Sequence, residues 1–404
     1  MDLIENMCYN IVKFEREKFM KRAVVLSGGG SKGSYEIGVW KALRRLHIKY
    51  DIVTGTSIGA LNGALMTQKT YLKALYIWHK LSLEYLFEQQ PKSDTKKDIL
   101  RLYGDNFLKN GGMDIKKIES IIRKGINMKR FYKSDIDYGL VTFNFSTKKP
   151  LVISKKDISE DKLIDYLMAS ATCYPAFQMK DIDGDKYIDG GFYDNLPVNL
   201  ALKLGATEAI IVDLRAPGLK KLPKENIKTT YIKPKNKISF FLDFNSEQAK
   251  INMNFGYNDT MKAFKRLDGS YFTFRKDEIS KFYEKNKDEL SKLLGTNLTK
   301  KQLLKLIEDI GKEFKLQEDL IYYLDDYFRI IKEKAISCEK ITKEIEKQIK
   351  SKKISKSINS KLITLFFLRN ITSKRRENKA LSIFFSKNYK QALLLSYIGV
   401  NYGE

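Results

Sequence analysis

Two strand-turn-helix units follow one another between residues 21 and 68, and they constrain the fold more than any other feature of the sequence. The first contains the β-rich run RAVVLS, the turn GGGSKG and the helical run YEIGVWKALRRL. The second contains the strand run DIVTG, a sharp Thr-Ser-Ile turn and the helical run IGALNGALMTQ. Further β-rich runs, YGLVTFNF, KPLVIS and ATEAIIVDL, alternate with helical segments. This alternation predicts an α/β fold with a mainly parallel central sheet that helices cover on both faces.

The residue types and the periodicity of the sequence change near Leu267. Beyond that residue the β-branched strand runs stop, and charged segments with helical periodicity continue to the end of the chain. A chain of 404 residues is also longer than one hydrophobic core usually grows. We therefore predict an N-terminal extension over residues 1–20, an α/β domain over 21–274 and a basic, helical C-terminal region over 275–404.

Composition restricts where the protein works. The three cysteines are few, odd in number and far apart, which indicates neither a disulfide framework nor a zinc site and favours a reducing compartment. The N-terminus lacks the apolar segment of a Sec-type signal peptide, and no apolar run is long enough to span a membrane. We expect a cytoplasmic protein, peripheral at a membrane; export without a Sec signal is the alternative.

The glycine-rich turn at residues 28–33 allows two interpretations. Gly28, Gly30 and Gly33 satisfy the GxGxxG spacing of a dinucleotide-binding loop between a strand and a helix. That fingerprint also needs an acidic residue at the end of the next strand, whereas Asp51 precedes the strand. Alternatively, the turn forms an oxyanion hole, because backbone N–H groups without side chains can approach a reacting carbonyl closely. The turn alone leaves both interpretations open.

Ser57 stands in the pentapeptide GTSIG, between a strand run and a helical run. This is the GxSxG pattern of a nucleophile elbow in the context that the pattern requires. The flanking Gly55 and Gly59 are needed because larger side chains would collide with the neighbouring strand and helix. A serine at a helix N-terminus also has free N–H groups nearby, which favour an oxyanion. The pattern predicts that Ser57 is a nucleophile.

A serine nucleophile needs a base, and this chain has only two histidines, His47 and His79. Both lie in the first quarter of the chain. The residue order of α/β-hydrolases places the histidine far downstream of the serine, where this sequence has none. A Ser-His-Asp triad of that type is excluded, and we predict that a carboxylate is the base.

Asp189 has the most distinctive setting among the acidic residues. The run DIDGDKYIDGG predicts a hairpin turn and then a short strand that ends at Asp189, where Gly190 and Gly191 let the chain turn sharply. Strand ends at the edge of an α/β sheet are where sites form. The alternating aspartates before it do not indicate calcium, because position twelve of an EF-hand loop would be Phe192. We predict that Asp189 is the base and that the site holds no metal.

Taken together, SGGGSKG at 27–33, GTSIG at 55–59 and DGG at 189–191 followed by FYDNLPV resemble the patatin-like phospholipases, a family of lipid acyl hydrolases. The resemblance covers roughly residues 21–267, and the combination is far more specific than any single motif. It implies the patatin-like three-layer α/β fold with a central sheet. It also implies hydrolysis of fatty-acyl esters of phospholipids, lysophospholipids or galactolipids, with no metal and no other cofactor.

The resemblance also carries residue roles over by position. Ser57 would be the nucleophile that forms an acyl-enzyme, and Asp189 the base of a Ser-Asp dyad. The oxyanion donors would be three consecutive glycines, Gly28, Gly29 and Gly30. Lys32 stands where the family often has arginine, so a contact with a phosphate or within the loop would keep the positive charge but lose the bidentate fork.

The formal net charge of +25 favours polyanionic partners, and the excess is steepest between Lys347 and Lys390, where Glu377 is the only acidic residue. Two apolar clusters, LITLFFL at 362–368 and IFF at 383–385, lie among these bases, with KRR between them. Such a pattern is typical of segments that lie on anionic lipid. Nucleic acid would use the same charges, and a docked helical lid would use the apolar residues as core. We predict an anionic membrane surface as partner and disfavour nucleic acid; no feature identifies a protein activator.

Three functions follow from these patterns. The first is a lipid acyl hydrolase of the phospholipase A or lysophospholipase type. The second is a dinucleotide-dependent oxidoreductase, which depends on the GxGxxG spacing alone. The third is a basic membrane or nucleic-acid adaptor without catalytic activity on a hydrolase fold.

Overall fold

The computed structural model describes residues 20–87, 91–93, 95–338, 359–374 and 379–401. The predicted N-terminal extension lies outside the described residues except for Met20, and so do Cys8 and Arg375, Arg376 and Glu377 of the basic stretch. The chain divides into two compact units after Ala263. The predicted domain boundary after residue 274 stays a prediction.

Unit 1 contains eight strands of one sheet and ten helices among the described residues. The strands are β1 (Arg22–Leu26), β2 (Ile52–Thr56), β3 (Asp137–Asn144), β4 (Lys149–Ser154), β5 (Lys180–Ile182), β6 (Asp185–Asp189), β7 (Glu208–Val212) and β8 (Lys228–Ile232). The helices are α1 (Ser34–Arg45), α2 (Ile58–Thr67), α3 (Tyr71–Lys80), α4 (Leu83–Leu86), α5 (Lys96–Asn110), α6 (Lys116–Gly125), α7 (Met128–Lys133), α8 (Leu163–Ala171), α9 (Val198–Lys203) and α10 (Ser246–Ala263). Short 3-10 turns cover Gly30–Gly33, Lys155–Asp157 and Gly190–Phe192.

The sheet has the strand order β5-β6-β3-β2-β1-β7-β8, and β4 pairs with β3 beside this path. The run β3-β2-β1-β7-β8 is parallel throughout. In contrast, β4 and β6 are antiparallel to β3, and β5 is antiparallel to β6. The predicted α/β fold with a mainly parallel central sheet is confirmed, and the five β-rich runs of the sequence are all strands.

Helices cover both faces of the parallel strands, as the sequence predicts. Alternate side chains of β1, such as Ala23 and Val25, pack on one face with apolar residues of α9, among them Val198. On the other face, Leu26 of β1 lies close to Gly63 of α2. Because neither face meets water, the strands consist of nearly continuous apolar residues rather than alternating ones.

Unit 2 is mainly helical, but it also contains a small sheet that the sequence did not reveal. The strands β9 (Leu267–Asp268), β10 (Thr273–Arg275) and β11 (Ile321–Tyr322) pair in the order β11-β10-β9. The expectation that strands stop near Leu267 is therefore wrong, because runs of two or three residues are too short to show periodicity. The helices are α11 (Glu278–Leu294), α12 (Lys300–Glu313), α13 (Leu324–Ile336), α14 (Ser360–Thr372), α15 (Lys379–Phe384) and α16 (Ser386–Tyr397).

The two apolar clusters of the C-terminal region differ in burial. Leu365, Phe367 and Leu368 of the first cluster are buried in the core of unit 2, so the interpretation as core residues holds for this cluster. Ile383 and Phe384 of the second cluster are 77% and 80% exposed. Within the part of the chain that the structure describes, we find no helix that is both long and apolar enough to span a membrane.

The close crossing of α1 and α10 generates a stability prediction. A Cβ built on Gly256 of α10 would collide with the carbonyl oxygen of Tyr35, whereas one built on Gly104 of α5 meets open space. We expect Gly256→Ala to lower the free energy of unfolding by about 1–3 kcal/mol through overpacking. Gly104→Ala should raise it by about 0.5–1 kcal/mol, because alanine reduces the freedom of the unfolded helix segment. Urea denaturation of both variants checks the pair, and equal midpoints would contradict the proposed close packing.

Candidate active site

Ser57 lies in a sharp turn between β2 and α2. Its backbone has φ 57° and ψ −127°, a conformation that residues with a side chain rarely adopt and that costs about 1–3 kcal/mol. The flanking glycines make the turn possible, since a Cβ on Gly55 would collide with the carbonyl oxygen of Gly59. The turn directs the serine side chain to the edge of the sheet where the parallel strands end.

Ser170 of α8 supports this strained turn, and sequence reasoning missed it. The backbone N–H of Ser57 donates a 2.9 Å hydrogen bond to the hydroxyl oxygen of Ser170. That hydroxyl donates in turn to the carbonyl oxygen of Val141 on β3 at 2.7 Å. Ser170 is fully buried, so both bonds are shielded from water. A serine within a helical run carries no motif that would have identified it.

Strand pairing brings Asp189 to the same place. Thr56, the residue before Ser57, pairs with Val141 on β3, and Asp189 at the end of β6 pairs with the next residue, Thr142. The backbone N–H of Asp189 also donates to the carbonyl oxygen of Thr172 at 2.8 Å. The predicted hairpin before Asp189 is present as β5 and β6. The register therefore places the predicted nucleophile and base side by side.

The carboxylate of Asp189 accepts a 2.7 Å hydrogen bond from the backbone N–H of Gly191, and the Ser57 hydroxyl lies beside it. Both side chains are buried, with Asp189 only 6% exposed. Burial raises the pKa of Asp189 to about 6, because removal of water disfavours the charged form. The Ser57 hydroxyl and the Gly191 N–H both oppose this shift in the pKa. The group is thus mainly ionised at neutral pH but more basic than an exposed carboxylate.

The glycine loop differs from the expectation at its first position. The N–H of Gly28 donates to the carbonyl oxygen of Asn195 at 3.0 Å, and the Asn195 side-chain amide donates back to the Gly28 carbonyl at 3.4 Å. Gly28 is therefore not free to act as an oxyanion donor in this structure. Gly29 and Gly30 line the cavity at Ser57, and their N–H groups have no acceptor among the described residues. These two positions remain candidates for the predicted role.

Lys32 belongs to the glycine loop but does not line the cavity. Its ammonium group is 3.3 Å from the carbonyl oxygen of Arg215 and 3.5 Å from that of Leu214. Burial lowers its pKa, and the nearby Asp213 carboxylate raises it. The side chain thus ties the glycine loop to the segment after β7, and the predicted contact with a phosphate stays a prediction.

A cavity of about 580 Å³ opens beside Ser57 and Asp189. Its polar lining is sparse, whereas its walls are formed mainly by large apolar and aromatic side chains. Neither His47 nor His79 belongs to its lining. The apolar residues at its wall include Ile58, Leu61, Leu65, Ile77, Trp78, Leu81, Leu86, Ile118, Ile121, Ile122, Phe177, Phe241, Leu242 and Phe244.

The described residues do not form a dinucleotide-binding site or a metal site. Asp51, which a dinucleotide loop would need near its ribose, accepts a hydrogen bond from the N–H of Arg22 at the start of β1, whereas the glycine loop follows the end of β1. The two lie at opposite ends of parallel strands. Within the described ranges, no group of three or more His, Cys, Asp or Glu side chains is placed to hold a metal ion.

Comparison with known proteins adds an independent observation. Residues 24–202 match the family model described as patatin-like phospholipase. The human patatin-like phospholipase domain-containing protein 6 is 30% identical over 200 residues, which are 48% of this chain and 13% of that protein. Lysophospholipase nte1 of Aspergillus terreus is 27% identical over 205 residues, 47% of this chain and 12% of that protein. The crystal structure of VipD from Legionella pneumophila aligns over 94% of this chain and 91% of that chain, with TM-score 0.36 and 16% identity.

The buried carboxylate predicts an unusual dependence of stability on pH. The pKa of Asp189 is about 6 in the folded protein and 3.8 for the free side chain, so the folded state holds a proton that the unfolded state has lost between these values. Stability due to this group therefore falls as pH rises from about 4 to about 6. We expect the free energy of unfolding of Asp189→Asn to exceed that of the wild type near pH 7 by up to about 3 kcal/mol, which raises its unfolding temperature, and the gain to vanish near pH 4.

Asp181→Asn is the matched control for this experiment. Its carboxylate is exposed, and the bond from Lys186 lowers its pKa, so the substitution should not stabilise the protein near neutral pH. Thermal unfolding of the three proteins across this pH range checks the prediction. A loss of stability in Asp189→Asn near pH 7 would contradict the cost assigned to the buried charge.

Proposed function

Residues 24–202 of the chain match the patatin-like phospholipase family, and from this premise we propose that the protein is a lipid acyl hydrolase with Ser57 as nucleophile and Asp189 as base. The observation that carries the proposal is the position of the Ser57 hydroxyl beside the buried Asp189 carboxylate, at the wall of an apolar cavity. The substrate class is the fatty-acyl ester of a phospholipid or lysophospholipid. One relative is named a lysophospholipase, and the similarity spans 12% of that protein.

In the first half of the reaction, the Ser57 oxygen attacks the ester carbonyl carbon while its proton moves to Asp189. The C=O electron pair moves to the oxygen, where the N–H groups of Gly29 and Gly30 stabilise the negative charge. The intermediate then collapses and breaks the bond to the alcohol oxygen. The leaving alcohol takes the proton from Asp189, and the acyl group stays on Ser57.

The second half repeats the steps with water in place of the serine hydroxyl. Asp189 accepts a proton from water as the water oxygen attacks the acyl carbon. Collapse of this second intermediate releases the fatty acid, and the proton returns to Ser57. One water molecule is consumed for each ester bond, and neither residue is changed at the end of the cycle.

The raised pKa of Asp189 supports the role as base. A carboxylate with a pKa of about 6 accepts a proton more readily than an exposed one, yet it is mostly ionised near neutral pH. Histidine provides the same balance in most serine hydrolases. Here burial in an apolar wall brings a carboxylate into that range.

The cavity supports the choice of an acyl substrate. Its volume and its apolar walls provide space for a hydrocarbon chain, while Gly29, Gly30 and the dyad lie at the wall where the ester would sit. Chain burial removes apolar surface from water, which stabilises binding by about 0.8 kcal/mol for each CH₂ group.

The proposal includes a peripheral position on an anionic membrane surface. The net charge of +25 supports it, as do the exposed Ile383 and Phe384 on a segment, residues 379–401, that contains three lysines and no acidic residue. A cytoplasmic location stays an expectation.

The oxidoreductase alternative would require binding of a nicotinamide cofactor, which titration of the pure protein with such cofactors tests. The position of Asp51 argues against this alternative.

The first functional prediction concerns the dyad. Ser57→Ala and Asp189→Asn should each reduce hydrolysis of mixed phospholipid vesicles by at least about a thousandfold, because each removes a group that acts in every step. Mass spectrometry of released fatty acids and lysophospholipids measures the loss and identifies the substrate. A fluorophosphonate probe should label the wild type at Ser57.

Ser93→Ala, at an exposed loop serine, is the control and should keep full activity. Wild-type hydrolysis by either dyad variant would falsify the proposed mechanism. Failure of the probe to label Ser57, together with no released product, would favour the adaptor on a hydrolase fold.

A second functional prediction concerns pH. Since the proton acceptor must be ionised in the free enzyme, kcat/KM for a soluble short-chain ester should rise with pH through an apparent pKa of about 6. Asp181→Asn should show the same profile as the wild type. Initial rates at constant ionic strength provide the measurement, and a profile that is flat between about pH 5 and about pH 7 would rule out Asp189 as the base.

A further inference from the structure

Two exposed apolar side chains lie at the opening of the cavity, and a third follows on the same loop. Phe192 and Leu219 both line the cavity and are 49% and 63% exposed, so they mark its mouth. Leu222, three residues further along the same loop, is 87% exposed. Large apolar side chains gathered at the opening of a site indicate an interaction surface. We refer to Arg215–Lys224, between β7 and β8, as the mouth loop.

Hydrogen bonds hold the mouth loop firmly to the catalytic end of the sheet. The N–H of Leu219 donates to the carbonyl oxygen of Gly191 at 2.9 Å, and its carbonyl accepts from the N–H of Asn195 at 2.5 Å. The side-chain amide of Asn199 donates to the carbonyl oxygen of Leu222 at 2.9 Å. The apolar side chains are thus held outward by a fixed backbone, and Gly191 links the loop directly to the turn after Asp189.

Basic residues accompany these apolar side chains. The mouth loop contains Arg215, Lys220, Lys221 and Lys224 and no acidic residue. The ammonium of Lys220 is paired with Asp213, and that of Lys221 lies over the ring of Tyr193, whereas the Lys224 side chain has no ion pair among the described residues. Exposed leucines among bases match the chemistry of an anionic bilayer, whose acyl chains take the apolar groups and whose headgroups take the charges.

We propose that the mouth loop, together with Phe192, is a docking surface for an anionic phospholipid bilayer. Leu219 and Leu222 enter the interface, and Lys224 contacts the headgroups. Docking in this way places the cavity mouth against the bilayer, so that a lipid tail passes into the cavity without crossing water. The consequence for hydrolysis rests on the proposed lipid hydrolase function, whereas bilayer binding itself does not.

Vesicle sedimentation tests the docking surface. The full chain is used with Ser57→Ala, so that the vesicles stay intact, and with vesicles of phosphatidylcholine alone or mixed with phosphatidylserine. Leu222→Asp and Lys224→Glu should each weaken binding to the mixed vesicles by about tenfold, and phosphatidylcholine alone should bind less well than the mixture. Leu222 does not line the cavity, so the substitution leaves the site intact.

Leu72→Asp and Lys73→Glu are matched controls on α3. Leu72 is 75% exposed, and its neighbour Tyr71 lies under the guanidinium of Arg44 in the last turn of α1, away from the glycine loop that precedes that helix. Both controls should bind like the parent protein. If the mouth-loop variants bind mixed vesicles as well as the controls do, or if the parent chain does not bind vesicles, the proposal is overturned.

Activity in the wild-type background separates this proposal from the hydrolase function. Leu222→Asp should slow hydrolysis of vesicle lipids by about tenfold and leave hydrolysis of a soluble short-chain ester unchanged. A weaker vesicle binding of Leu222→Asp without any Ser57-dependent hydrolysis would support the docking surface and remove the hydrolase function. Equal slowing on both substrates, with unchanged vesicle binding, would overturn the docking surface alone.

Discussion

The strained backbone of Ser57 is the constraint on which the candidate site depends. At φ 57° the chain can pass from a buried strand into a helix within one residue, which directs the hydroxyl away from the sheet. The strained conformation persists because neighbouring residues stabilise it. Gly55 and Gly59 pack closely because neither has a side chain, and the Ser170 hydroxyl accepts a hydrogen bond from the backbone N–H of Ser57. Relaxing this turn would separate the hydroxyl from Asp189. A feature that is costly by itself therefore positions the proposed nucleophile, the proposed base and the start of α2.

Burial of the same site raises the pKa of the Asp189 carboxylate. The apolar wall that suits a hydrocarbon chain also removes water from Asp189 and raises its pKa to about 6. Only the Ser57 hydroxyl and the Gly191 N–H oppose this effect, and no described cation does so. A positively charged partner would lower the pKa of Asp189 and make the carboxylate a weaker base. Stability near neutral pH is thus lower than it would be with a neutral side chain, a cost commonly found at functional sites.

The cavity connects this chemistry to the surface through the mouth loop. Gly191 belongs to the turn after Asp189 and also accepts the hydrogen bond from Leu219. The exposed leucines are therefore positioned by the same backbone that positions the proposed base. Unit 2 has its own core, which contains one of the two apolar clusters that the sequence offered as lipid-binding, whereas Ile383 and Phe384 remain exposed.

Much of the fold could be predicted from the sequence, because local patterns determine it. Period and length identified the strands, the glycines around Ser57 identified the elbow, and the shortage of histidines pointed to a carboxylate base such as Asp189. Each of these signals lies within a short stretch of chain. The strands β9, β10 and β11 escaped because two or three residues show no period.

The remaining features depend on contacts between residues far apart in the chain, which no local pattern encodes. The bond from Gly28 to Asn195 removed one predicted oxyanion donor, and that from Ser57 to Ser170 added a supporting residue. The pKa of Asp189 likewise follows from what packs around it. The sequence by itself determined which chemical groups are available and where strands and helices form. Only the tertiary structure decided which backbone N–H groups lack a hydrogen-bond acceptor, which carboxylate is buried away from water and which leucines face the solvent. Hydrogen bonding and burial are properties of the assembled chain.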